Sequence, residues 1–238
     1  MDGRELAYDG YRDLVLGSGE DAVLVVPDYH GFTPYARAIA ERLAGTPGRR
    51  GVLLDLYGDR SMPRAGAEAY AAIDPMMTDR SRGLARLRVA IERLRGDGVR
   101  RLVAIGYSCG GTIVFDAART GMQLEGVVGF FGLVDPLQNR PRVMRTVPER
   151  RVPLLAIVGG RDELVTPDTW ASFAAELDCL GLDWQLQVLG GAKHAFTLRQ
   201  EDNLEVQSGE QPTLQLYDAV ADRRSWSRLE AFLAECLP

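Results

Sequence analysis

Histidine is scarce in this chain: its 238 residues include two, His30 and His194. Neither lies at ligand spacing from the other or from a cysteine, so no zinc-site pattern can be written and no metal is expected. Cysteine is nearly as rare. Cys109, Cys179 and Cys236 are widely spaced and form no C-x-x-C pair. That odd count excludes a disulfide framework and fits a reducing compartment. Long apolar runs are missing too. None reaches the roughly 18 residues that cross a bilayer, so no membrane partner is expected. The opening MDGRELAYDGYRD is polar and lacks the apolar centre of a signal peptide. A cytoplasmic protein is the resulting expectation. There is no basic stripe either: the formal net charge is -5, and arginines alternate with acids in RSRGLARLRVAIERLRGDGVRR. Such a segment reads as a solvated helix face, and no nucleic-acid partner is expected.

What is present suits one domain over residues 1–238. Hydrophobic residues make up 46%, enough for a sizeable core. Apolar runs predict strands at 22–28, 51–57, 101–107, 125–132, 153–160 and 184–190. Helix-period segments predict helices at 34–44, 79–95, 110–120, 167–180 and 217–237, the first opened by Pro34. This alternation specifies an α/β fold, a mostly parallel central sheet with helices on both faces. Ligands in such folds bind beyond the C-terminal ends of the strands. The stretches 58–78 and 199–216 read as loops over a site, the first covering the pocket. Its Met62, Met76 and Met77 suit either an adaptable apolar wall or ordinary core.

The chemistry concentrates at Gly106-Tyr107-Ser108-Cys109-Gly110. This is G-x-S-x-G placed directly after a strand and before a helix, the context of a nucleophile elbow. Flanking glycines permit the tight turn, and the central Ser108 projects above the sheet. A serine hydroxyl needs a base to remove its proton. His194, in LGGAKHAF, is the only histidine after Ser108, as the chain order nucleophile, acid, histidine requires. Asp162, in GGRDELVTP after the strand 153–160, is the favoured acid to orient it, and Asp135, in GLVDP, is the rival. A tetrahedral intermediate needs two N–H donors. Cys109, next to the nucleophile, should supply one, and Tyr29, in PDYHGF, the other. His30, in the same loop, is expected in the pocket wall.

Taken in order, VVPDYHGFTPYARAIAERLA, LLDLYGDR, AIGYSCGG, GGRDELVTP, GAKHAF and YDAVADRRSWSRLEAFL resemble the dienelactone hydrolase family of the α/β-hydrolase superfamily. The likeness runs over nearly the whole chain. It implies an α/β-hydrolase fold, a nucleophile-His-Asp triad, a small ester or lactone as substrate, and neither metal nor cofactor. The sequence departs from the family pattern in three places. Ser108 stands where the family usually has cysteine. Asp28, one methylene shorter and a candidate substrate-binding residue, stands where the family often has a glutamate after its first core strand, linked to keeping the cysteine quiet at rest. Members acting on dienelactone hold its carboxylate with arginines, for which Arg60 and Arg199, each slightly offset, are the candidates.

The leading function is therefore a carboxylic ester or lactone hydrolase working through an acyl-enzyme, as a monomer or homodimer. An acyltransferase or thioesterase could use the same residues. A non-catalytic binding protein on a hydrolase fold is the alternative from another class, disfavoured by the complete triad.

Overall fold

Successive residues of the central strands send their side chains to opposite faces, and each face meets its own set of helices. In the computed structural model, described for residues 3–134, 147–209 and 217–238, the strands are β1 (Gly3–Tyr8), β2 (Tyr11–Leu16), β3 (Asp21–Val26), β4 (Arg49–Leu53), β5 (Arg101–Tyr107), β6 (Gly126–Phe130), β7 (Leu154–Gly159) and β8 (Trp184–Leu189). The helices are α1 (Pro34–Leu43), α2 (Gly66–Thr78), α3 (Arg80–Gly96), α4 (Cys109–Arg119), α5 (Pro167–Cys179), a short α6 (Leu204–Gln207) and α7 (Ala219–Cys236). Ala22, Leu24, Leu102 and Ala104 join the core beneath α3, α4 and α5. Val23, Val25, Val103 and Ile105 join the core beneath α1 and α7. Strands buried on both faces are why these segments read as unbroken apolar runs.

The sheet order is β1-β2-β4-β3-β5-β6-β7-β8. Every pairing from β4 through β8 is parallel, and β1 and β2 add an antiparallel edge. This is the α/β-hydrolase fold. All the parallel strands open at one end, and the segments that follow β3, β5, β7 and β8 meet there. Among the described residues no helix is long and apolar enough to cross a membrane.

Two elements depart from the sequence expectation. The β1–β2 hairpin was not anticipated. It turns at Asp9-Gly10, both at positive φ (47° and 82°), as a two-residue hairpin of the primed type requires. A buried network fastens it to the domain. The Arg86 guanidinium donates to Tyr8 Oη and Asp13 Oδ1, each at 2.5 Å, and to the Asp55 carbonyl at 2.9 Å. The second correction concerns 58–78, expected as a loop: its latter half is the helix α2. Ala69 and Ile73, four residues apart, are both buried, so one face of α2 packs on the core. Pro75 falls in the last turn, where it removes the N–H that would bond to the Ala71 carbonyl, and the helix ends three residues later. The other expected loop, 199–216, includes α6, while residues 210–216 lie outside the described part.

Candidate active site

Ser108 sits between the end of β5 and the first residue of α4 with φ 50° and ψ -117°, a backbone state that non-glycine residues rarely hold. The surroundings enforce it. Ser108 N–H donates to the Phe130 carbonyl at 3.0 Å, and the Ser108 carbonyl accepts from Thr112 N–H at 3.0 Å. The glycines of the motif are sterically required. A Cβ on Gly106 would lie 2.2 Å from the Gly110 carbonyl oxygen, and one on Gly110 would lie 2.3 Å from the carbonyl oxygens of Val26 and Pro27. The turn can therefore close only with glycine on both sides.

His194 reaches the elbow from the segment after β8, with its Nε2 3.0 Å from Ser108 Oγ. Its Nδ1 lies 2.8 Å from Asp162 Oδ2. The other oxygen of Asp162 accepts the backbone N–H groups of Leu164 at 2.8 Å and Val165 at 3.1 Å. The loops carrying Asp162 and His194 are also joined directly, Arg161 N–H donating to the Ala192 carbonyl at 2.8 Å. The Phe131 ring meets the imidazole edge-on at 5.0 Å between centroids. With Asp162 accepting from Nδ1–H, Nε2 presents a lone pair to the Ser108 hydroxyl. The arrangement can move a proton off that hydroxyl. Asp135, the rival acid, lies outside the described residues.

A cavity of about 580 Å³ opens over Ser108 and His194. It brings together Asp28, Tyr29, His30 and Cys109 from the expected residues. It also takes Tyr70, Ile73, Asp74 and Met77 from α2, Phe131 and Leu133 from beyond β6, and Leu164, Leu198 and Glu205. Met77 is one of the methionines offered above as an apolar wall, whereas Tyr70, Ile73, Asp74 and Glu205 were not anticipated. Cys109 is the first residue of α4, so its N–H has no partner within the helix. The Tyr29 segment is tied down at several points. Its hydroxyl donates to Glu205, its carbonyl accepts from Tyr57 Oη at 2.9 Å, and Asp28 Oδ1 accepts the His30 N–H at 2.9 Å. His30 Nδ1 lies 2.8 Å from the Pro63 carbonyl, which fixes that nitrogen as the donor.

Burial dominates the acid–base character of the cavity wall. It raises the Asp28 carboxyl above the usual carboxylate range, opposed by His30. It also raises the Cys109 thiol far above the usual thiol range, with the Asp28 charge adding to the effect. Cys109 is thus held as a neutral thiol with its backbone N–H at the elbow. Among the described residues, no group of three or more His, Cys, Asp or Glu side chains is placed to hold a metal ion.

Arg60 and Arg199 are not brought to the cavity. Arg60 donates to the Arg12 carbonyl at 2.9 Å, pairs with Glu5 at 3.3 Å and lies over the Phe32 ring. Its backbone N–H is fixed by Asp55 at 2.9 Å, which turns the residue toward the β1–β2 hairpin. Arg199 lies over the Tyr217 ring and 3.9 Å from Glu201.

The model of the dienelactone hydrolase family matches residues 14–237. A Bradyrhizobium protein named "Probable 2-oxo-3-(5-oxofuran-2-ylidene)propanoate lactonase" is 29% identical over 185 residues, 74% of this chain and 73% of the relative. Among solved structures, a dienelactone hydrolase-like promiscuous phosphotriesterase from metagenomic libraries superposes with a TM-score of 0.82 at 27% identity, covering 99% of this chain and 98% of the other. A thermophilic esterase of Thermogutta terrifontis, solved with propionate, superposes with a TM-score of 0.59 at 18% identity over 99% and 96% of the two chains. At that identity the likeness shows the fold alone.

Proposed function

The chain belongs to the dienelactone hydrolase family and is a carboxylic ester hydrolase, and from the construction of its cavity we propose that it cleaves esters or lactones through Ser108, His194 and Asp162. The observation that carries this reading is the continuous chain from Asp162 Oδ2 through His194 to Ser108 Oγ, with steps of 2.8 and 3.0 Å. Ser108 Oγ attacks the ester carbonyl carbon while His194 Nε2 takes the hydroxyl proton. Asp162 holds the imidazole in the tautomer that can accept it and stabilises the imidazolium that forms. The developing oxyanion is met by the N–H groups of Cys109 and Tyr29. The imidazolium then gives its proton to the leaving alkoxide, and the carbonyl re-forms as an acyl-Ser108 ester. In a lactone the leaving alkoxide stays attached to the acyl group. Water, deprotonated by Nε2, attacks that ester, and collapse returns the proton to Ser108 Oγ. The α2 side chains over the site, Tyr70, Ile73 and Met77, cover the acyl part.

Turnover of p-nitrophenyl butyrate by the wild type and by His194→Ala tests this. The substitution removes the base and is expected to cost three or more decades in kcat. Retention of more than about a tenth of the activity contradicts the assignment.

A further inference from the structure

Of the three polar groups on Tyr29, two are bonded within the protein and one is not. The carbonyl accepts from Tyr57 Oη at 2.9 Å, and the hydroxyl donates to Glu205 Oε1. The N–H has no acceptor among the described residues, and Tyr29 lines the cavity together with Ser108 and Cys109. The peptide that carries this N–H is held from its other side: the Asp28 carbonyl accepts the Gly31 N–H at 3.0 Å. The carbonyl and N–H of a trans peptide point in opposite directions, so holding one aims the other.

The turn formed in this way is short, and Gly31 at φ 72° leaves it conformational freedom. The Tyr29 side chain limits that freedom. Its ring packs against His30 and Tyr70, at 4.3 and 5.1 Å between centroids. Its hydroxyl ends on Glu205, which is 2% exposed on α6. Asn203 anchors α6, its Oδ1 accepting the Glu205 N–H at 2.7 Å. A hydrogen bond made away from water holds its partners more firmly than an exposed one. The segment after β8 thus carries His194 and, further on, the residue that grips the loop after β3.

We propose that Glu205 is a positioning residue for the reaction: through the Tyr29 hydroxyl it keeps the Tyr29 N–H aimed at the developing oxyanion. This rests on the hydrolase reading above and extends it, giving α6 a part in transition-state binding. An oxyanion donor acts on charge that appears in the transition state, so loosening it lowers kcat and leaves substrate binding in place.

The experiment measures turnover of p-nitrophenyl butyrate and inhibition by butyl trifluoromethyl ketone. The proteins are the wild type, Tyr29→Phe, Glu205→Ala, Glu205→Gln and the double variant Tyr29→Phe/Glu205→Ala. The ketone probes the oxyanion directly. Ser108 Oγ bonds to its carbonyl carbon, the carbonyl π pair moves onto the oxygen, and the hydroxyl proton goes to His194 Nε2. Tyr29→Phe removes one side-chain oxygen and keeps the backbone N–H. Its kcat should fall about tenfold with KM within about threefold, and Ki for the ketone should rise by the same factor as kcat falls. Glu205→Ala should behave alike, and Glu205→Gln, which keeps an acceptor oxygen, should recover most of the loss. The double variant should be no slower than the slower single one, because both substitutions cut the same bond. That comparison separates the Tyr29 bond from the other interaction that Glu205 makes. Tyr29→Phe with kcat and Ki unchanged overturns the proposal. Additive losses in the double variant overturn it too, as does a lowered Tm with Ki unchanged, the mark of a bond that only supports the fold. A wild type that neither turns over the ester nor binds the ketone contradicts the hydrolase reading itself, and this inference falls with it.

Discussion

Asp162 holds His194 by one carboxylate oxygen, at 2.8 Å from Nδ1, while its other oxygen is fixed by the backbone N–H groups of Leu164 and Val165. The carboxylate therefore cannot rotate away without losing two backbone bonds. Its amide replacement can keep those bonds only by presenting its N–H₂ group to Nδ1, which selects the wrong imidazole tautomer. Asp162→Asn is accordingly expected to lower kcat by about four decades with the fold intact. Steady-state kinetics alongside circular dichroism check this. A loss smaller than tenfold would remove Asp162 from the proton path.

Cys109 is expected to be dispensable as a side chain. Burial and the Asp28 charge raise its thiol, so the thiolate does not form where ordinary thiols ionise, near pH 8.5 or so. Cys109→Ala keeps the backbone N–H and should retain most of the activity. Iodoacetamide should label exposed Cys179 first. Labelling of Cys109 should stay slow from about pH 7 to pH 10, because raising pH within that range remains below the elevated ionisation. Fast labelling at Cys109 that rises through the ordinary thiol range would contradict this.

Arg60→Ala and Arg199→Ala should each change kcat/KM by less than about threefold on neutral and anionic esters alike, since their surface ion pairs contribute little. Turnover of p-nitrophenyl butyrate and of the mono-p-nitrophenyl ester of succinic acid, a neutral and an anionic ester, measures it. A loss above tenfold confined to the anionic ester would give one of these arginines a carboxylate-binding role.

The elbow and the order of its partners were legible in the sequence because each depends on local facts. Gly106 and Gly110 mark the only turn that can close there, and a chain with two histidines leaves one candidate after Ser108. The parallel strands were legible because burial on both faces makes them continuously apolar. The Asp9-Gly10 turn carries a hairpin signal, but β1 is an edge strand, mostly exposed, with polar residues such as Arg4 and Glu5. On the other side β2 has an apolar run of three residues, Leu14–Leu16, too short to stand out as a strand. In α2, Pro75 and the nearby Pro63 suggested a loop, and the contacts of Ala69 and Ile73 that stabilise the helix are tertiary. Glu205 could not have been found. Its bond to Tyr29 spans 176 positions, and nothing in the residues around either one announces the other. Arg60 is a candidate through the family resemblance alone, and the Asp55 contact to its backbone N–H turns it toward the hairpin instead.

Stability should depend on a second buried cluster, away from the cavity. Asp116 accepts from Arg80 at 2.8 Å and from Arg119 at 2.9 Å, and Arg119 pairs in two-pronged fashion with Glu176 at 2.8 and 3.0 Å. Arg119 and Asp116 are fully buried where α3, α4 and α5 meet. Asp116→Ala strips a carboxylate from two buried guanidinium groups and is expected to cost about 3 kcal/mol or more. For a chain of this size that is a drop in Tm on the order of 6 °C or more. A Tm within about 1 °C of wild type would show that water reaches the cluster and replaces the lost carboxylate.

The central claim is that Ser108, and not its neighbour Cys109, forms the covalent intermediate. Ser108 holds the strained central position of the elbow, 3.0 Å from the imidazole, whereas Cys109 begins α4. The direct measurement is reaction with a fluorophosphonate probe, followed by digestion and mass spectrometry of the peptide containing both residues. The account predicts one adduct, on Ser108, absent from Ser108→Ala and formed at near wild-type rate in Cys109→Ala. An adduct on Cys109, or ester turnover that survives Ser108→Ala and disappears in Cys109→Ala, would contradict it.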